Sequence, residues 1–299
     1  MKHNKLFLTL ITISFVLAAH AQKEIPDSTE VLFDDNGSFT RVINTPEEVN
    51  AKLITVNPLI DEVVWRKVVT RVVDLREQVN RPLYYPKEDM DETSQKNLFA
   101  IILYNYANGK LVGYEGEGGP KVPKFTEDNK VKYEDVGWFH NALQYQELSD
   151  PENIYSKINY LSEGVIKYYI QEVWYFNKTT STFHNKIIAI APFFDKKYHV
   201  HKNDPDGPDN FDAFVWFPYD KLRPFLQEEF IKMTGRNITP LVNFDEFFTT
   251  RQFYSYIVND HDLQNRLLEE ISQDPVYLKQ EQDRIESEIL NFEQDLWSY

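Results

Sequence analysis

The residue types best suited to metal chemistry sit together at His199-Val200-His201, followed by Asp204 and Asp206. Alternate residues of an extended segment point to one side, so the two imidazoles could converge on a single ion. No third ligand stands at a motif spacing, and Pro205, Gly207 and Pro208 mark the stretch as a surface loop. Asp204-Pro205-Asp206-Gly207 echoes the start of a calcium loop but lacks the bidentate glutamate that closes one. Nucleophilic chemistry has less support. The chain has no cysteine, no Gly-x-Ser-x-Gly elbow and no His-Glu-x-x-His pair. Gly113-Tyr114-Glu115-Gly116-Glu117-Gly118-Gly119 is glycine-rich, yet no Lys-Ser/Thr closes it and its glutamates would repel phosphate. Paired carboxylates of the glycosidase kind stay open as a reading, but among 47 acidic residues such pairs meet by chance. Glu172 stands out as a carboxylate placed within the hairpin among mostly apolar residues. Burial would raise its pKa, whereas a lysine or arginine partner, the commoner arrangement, would keep it ionised. No catalytic residue, cofactor or metal ligand is therefore assigned.

The elements that would position these groups begin after a leader. Lys2, His3 and Lys5 precede an uncharged apolar run from Leu6 to Ala19, and Ala19-His20-Ala21 supplies small residues at the two positions a signal peptidase reads. Cleavage is expected between Ala21 and Gln22. The alternative, a membrane anchor, would need an apolar run of roughly 20 residues, longer than this one. Without cysteine, neither a lipid anchor nor a disulfide is available to this chain. The formal charge of −15 becomes −17 when Lys2 and Lys5 leave with the leader (−15 − 2). Such a surface repels nucleic acid and anionic headgroups, so neither nucleic acid nor direct membrane insertion is expected. An aromatic content of 15% speaks for a folded chain with adhesive surface, although core filling accounts for most of those rings.

Residues 22–58 read as an extended N-terminal arm, because Pro26, Pro46, Pro58 and Asp34-Asp35-Asn36-Gly37 interrupt every apolar run. The domain follows over 59–299. Val64, Val68, Val72, Leu75 and Val79 recur at helical spacing and predict a helix over Asp61–Val79, against the strand preference of valine. Leu83-Tyr84-Tyr85-Pro86 reads as a rigid connector. A second helix is expected over Ser94–Ala107, closed by Asn108-Gly109. Gly113–Pro123 reads as a loop. Alternation over Val165–Phe176 and again over Phe183–Pro192, across a polar turn, predicts a long antiparallel hairpin. A strand over Ala213–Phe217, a helix to Ile231, a short helix over Asn243–Thr250 and a strand over Gln252–Val258 complete the middle. Leu278, Gln282, Ile285, Ile289, Phe292, Leu296 and Tyr299 follow heptad spacing within a C-terminal amphipathic helix, 275–298. Packing on its own domain is weighed there against an inter-subunit helix. The fold class is α+β: an antiparallel sheet around the long hairpin with flanking helices.

Several stretches carry a resemblance. Val73-Asp74-Leu75-Arg76-Glu77 leads into Pro82-Leu83-Tyr84-Tyr85-Pro86; Tyr168 through Phe176 returns through Lys186 to Pro192; then come Trp216, Leu222-Arg223-Pro224, Phe244 through Phe248, Arg251 through Ile257, and Phe292 through Trp297. In this order they resemble the GldN/PorN family of the type IX secretion system and gliding machinery of Bacteroidetes. The resemblance implies a periplasmic, non-enzymatic structural component that assembles with a GldK/PorK-like outer-membrane lipoprotein and other secretion-system subunits, as a homo-oligomer within a ring. It supplies no catalytic residue. Asp27-Ser28-Thr29 also resembles the short O-glycosylation acceptor of that bacterial group. Trp174, Tyr175 and Trp297 are candidate partner contacts, since aromatic anchors concentrate interface energy, with plain core packing as the commoner fate. The alternative function is a secreted hydrolase acting on polysaccharide, which would need two carboxylates at roughly 5–9.5 Å in a cleft.

Overall fold

Valine decides the first element, and it decides against the helix. In the computed structural model, which describes residues 63–87, 90–116, 125–136, 153–194, 215–231, 242–260 and 267–297, strand β1 runs Val63–Asp74. Val69 and Val73 face one side of the sheet, Val72 the other, and all three are buried. A strand covered on both faces loses the alternation that advertises it, and the helical spacing of the valines was coincidental. β-Branched side chains then prevail through their preference for extended backbone.

A 3₁₀ segment, Gln78–Leu83, leads from β1 towards helix α1, Leu98–Ala107. The expected start at Ser94 moves to Asn97, whose side chain accepts the Ala100 N–H at 2.7 Å and caps the helix. The loop expected from Gly113 begins instead as strand β2, Gly113–Glu115, paired with β3, Lys130–Val131. Glycine is required there: a Cβ on Gly113 would collide with Val215 Cγ1 and press on Tyr106. Helix α2, Ile154–Ser162, precedes the hairpin of β4, Val165–Asn177, and β5, Thr182–Phe194, which matches the expectation closely. Strand β6, Val215–Pro218, feeds helix α3, Tyr219–Glu228, which stops short of Ile231 because Phe230–Ile231 forms β7 against β8, Val242–Asn243. Helix α4, Phe244–Thr249, strand β9, Tyr256–Asn259, and helix α5, Leu268–Ile271, lead to helix α6, Pro275–Trp297.

Seven strands form one sheet in the order β3-β2-β6-β5-β4-β1-β9, every pairing antiparallel. The fold is thus α+β, as the sequence pattern indicated. Val73, Tyr168, Ile170, Ile190, Phe194 and Phe217 look onto α1, α2, α3 and α4, and together they make the main core. Farther along the same face, Val69 meets Ile285 and Ile289 of α6, with Trp65, Trp174 and Phe183 around them. The opposite face gathers Val72, Tyr169, Val173, Ile188, Ala189, Ala191 and Trp216. Among the described residues no helix is long and apolar enough to cross a membrane. The leader, the arm, the Ala21/Gln22 junction and the His199–Asp206 cluster lie outside the described residues.

Candidate functional site

Glu172 sits at the middle of β4 with 0% exposure, so its charge must be met from within the fold. Three groups meet it. Arg251 Nη1 donates to Oε1 at 2.9 Å, Trp174 Nε1 donates to Oε2 at 3.1 Å, and Arg71 Nε stands 3.3 Å from Oε2. The Arg71 approach is off the line of a hydrogen bond, leaving charge attraction as its contribution. Arg71 then reaches outward to Glu286 Oε1 on α6 at 3.1 Å. Sheet, α4 corner and C-terminal helix are thereby tied at one point.

The Arg251 backbone is bent to serve this contact. At the end of α4, the Arg251 N–H bonds the Phe248 carbonyl and the Gln252 N–H bonds the Phe247 carbonyl, the paired closure of a left-handed helix terminus. That closure needs a positive φ, and Arg251 takes it at 55° where glycine is the usual residue. Its guanidinium also lies 5.2 Å from the centre of the Trp174 ring and 5.4 Å from that of Phe253.

A second buried carboxylate repeats the arrangement. Asp245 of α4 accepts from Arg223 Nε at 2.9 Å and Nη2 at 3.1 Å, from Tyr219 Oη at 3.0 Å, and from Gln227 Nε2 at 2.8 Å. Tyr219, Arg223 and Gln227 are spaced four apart on α3 and share a face. Burial, then the Asp245 charge, pushes the Tyr219 hydroxyl well above its ordinary value. Burial alone would lower the Arg223 guanidinium, but its bonds to Asp245 hold it raised. Buried Lys186 of β5 pairs with Asp220 at 2.7 Å, again joining sheet to α3. Asp74, the remaining buried carboxylate among the described residues, accepts from Arg76 Nε at 2.9 Å. Glu172, Asp245 and Asp74 are each held by an arginine and Asp220 by a lysine, an arrangement suited to cohesion rather than to proton transfer. Among the described residues no group of three or more His, Asp or Glu side chains could hold a metal ion.

Of the candidate partner contacts, Tyr175 is buried on the second face, where its ring stacks on His184 at 5.4 Å and burial pushes its hydroxyl up to about 12. Trp174 is half-buried on the opposite face, packed with Phe183 in the cluster that α6 covers. The two therefore do not share a surface. Trp297 ends α6, and its side chain lies outside the described residues. Sequence reasoning singled out Glu172 but missed Arg71, Arg251, Arg223 and Asp245. The heptad seam of α6 is turned inward: Ile285 and Ile289 are buried, and Phe292 stacks on Trp65 at 4.2 Å. Lys67 adds an ion pair to Glu288 at 2.7 Å. The helix packs on its own domain, one of the two arrangements its sequence allowed.

Fold and charge network together define an α+β domain whose internal ion pairs bind distant segments of one chain. The stretches with family character meet at those pairs: Tyr168–Phe176 with Arg251–Ile257, and Leu222-Arg223-Pro224 with Phe244–Phe248. The family model for the gliding motility associated protein GldN matches residues 60–298, and the chain belongs to that family. No relative among the curated proteins matches it.

Proposed function

We propose that this protein is a non-enzymatic structural component of a type IX protein secretion and gliding motility complex. The observation that carries the reading is the match to the gliding motility family along residues 60–298, nearly the whole domain. In this reading the leader directs the chain to the periplasm, and the lack of cysteine leaves it no lipid anchor of its own. A GldK/PorK-like lipoprotein then retains it at the outer membrane, and copies assemble with that partner into a ring. The internal ion pairs favour this reading, since they spend the buried carboxylates on holding the domain's shape.

A clean deletion with plasmid complementation, in a strain without a paralogue, provides the test. Loss of secretion of proteins bearing the C-terminal export signal, restored by the plasmid, is expected. Affinity purification of the complemented protein should bring down the lipoprotein in a large assembly. Normal secretion in the deletion strain would overturn the proposal.

A further inference from the structure

We propose that the second face of the sheet contains an internal water-binding site built on the Gln171 side chain. Gln171 is fully buried, yet among the described residues neither its Nε2 nor its Oε1 has a hydrogen-bond partner. An amide has two donor hydrogens and an acceptor oxygen, and leaving them unmet in the interior is costly. The register shows what surrounds it. Gln171 stands opposite Thr70 of β1 and Ala189 of β5, and Thr70 in turn stands opposite Asn259 of β9. Directly opposed residues share a face, so Asn259, Thr70 and Gln171 form a row across three strands. All three are fully buried, beside the apolar cluster of that face.

Bulges flank this row on both sides. Between the pairs Gln171/Ala189 and Glu172/Ile187, β5 carries Ile188 as an extra residue; between Thr70/Asn259 and Arg71/Ile257, β9 carries Val258. Each bulge sets two neighbouring side chains on the second face, Ile188 with Ala189 and Val258 with Asn259, and breaks the regular ladder beside Gln171. Ala189, directly opposite the amide, carries only a methyl group. The ligand must be neutral: the row has no charge, Glu172 and Arg71 project from the opposite face, and Lys186, which shares this face by register, is already paired with Asp220. It must also donate to Oε1 and accept from Nε2 within a small volume. Water meets all three conditions.

The test uses the full mature chain. A high-resolution crystal structure should show an ordered water within hydrogen-bond distance of the Gln171 amide. Gln171→Met, similar in volume but unable to hold that water, should melt no higher than the wild type. Empty density at the amide, or a protein group bonded to it, overturns the proposal. So does a Gln171→Met variant that melts several degrees higher, because removing a truly unmet amide stabilises a core.

Discussion

Helices α1 and α4 end in the same way, and the residue at the turning point differs. After α1 the Gly109 N–H bonds the Tyr106 carbonyl and the Lys110 N–H bonds the Asn105 carbonyl; after α4 the Arg251 and Gln252 N–H groups make the equivalent pair. Gly109 has φ 68° and Arg251 has φ 55°. At Gly109 nothing lies within 4 Å of where a Cβ would stand, so backbone freedom alone selects glycine. At Arg251 the left-handed conformation opposes the side chain's preference by about 1–2 kcal/mol, and the bond to Glu172 offsets it. A helix end that could have been closed by glycine is instead a point of attachment for a buried charge.

The largest effect should come from the other end of that bond. Glu172→Ala leaves Arg71 and Arg251 facing a buried gap, and should cost about 3–5 kcal/mol in urea unfolding, the range for breaking a buried pair from one side. A cost below about 1 kcal/mol would mean that the two arginines find water, and that the network does not hold the sheet.

Arg251 itself separates strain from attraction. Arg251→Ala removes a charge-assisted bond and keeps the strained φ, for an expected loss of about 2–3 kcal/mol. Arg251→Gly removes the same bond and relieves the strain, so it should cost about 1 kcal/mol less. The comparison closes at the other helix: Gly109→Ala introduces strain with no contact to lose, and should cost that same difference, about 1 kcal/mol. Unequal values, measured by denaturation of all three variants under one condition, would show that the two termini are not equivalent.

The same pair of termini shows how far the sequence could be read. Asn108-Gly109 announces a helix end because glycine tolerates positive φ, and the end falls there. Thr250-Arg251 announces nothing, since the reason for a left-handed arginine is a partner 79 positions away. Glu172 was recognisable as an acid in need of a cation from its place among the mostly apolar residues of the hairpin. Which cations would come depended on the pairing of β1 with β4 and on the α4 corner, both non-local. The hairpin was legible because β4 and β5 keep their alternation next to a polar turn. Strand β1 was not, because burial on both faces erased it. The inward seam of α6 was visible as a heptad pattern, but the same pattern serves a sheet or a second helix equally.

The smallest expected effect lies at the rim of the network and sets its boundary. Glu286 accepts from Arg71 at 3.1 Å, but its side chain is 41% exposed, so water competes for both charges. Glu286→Ala should cost less than about 1 kcal/mol at low salt, and less again as added salt screens the pair. Arg71 would keep Glu172 beside it, so no buried charge is orphaned. α6 would stay docked through Ile285, Ile289 and the Phe292–Trp65 stack. Fluorescence of the tryptophans under α6 should therefore be unchanged in the variant. If Glu286→Ala instead releases the helix and shifts that emission, the apolar seam is too weak to hold α6. The rim charge would then belong with Arg251 among the attachments the fold depends on.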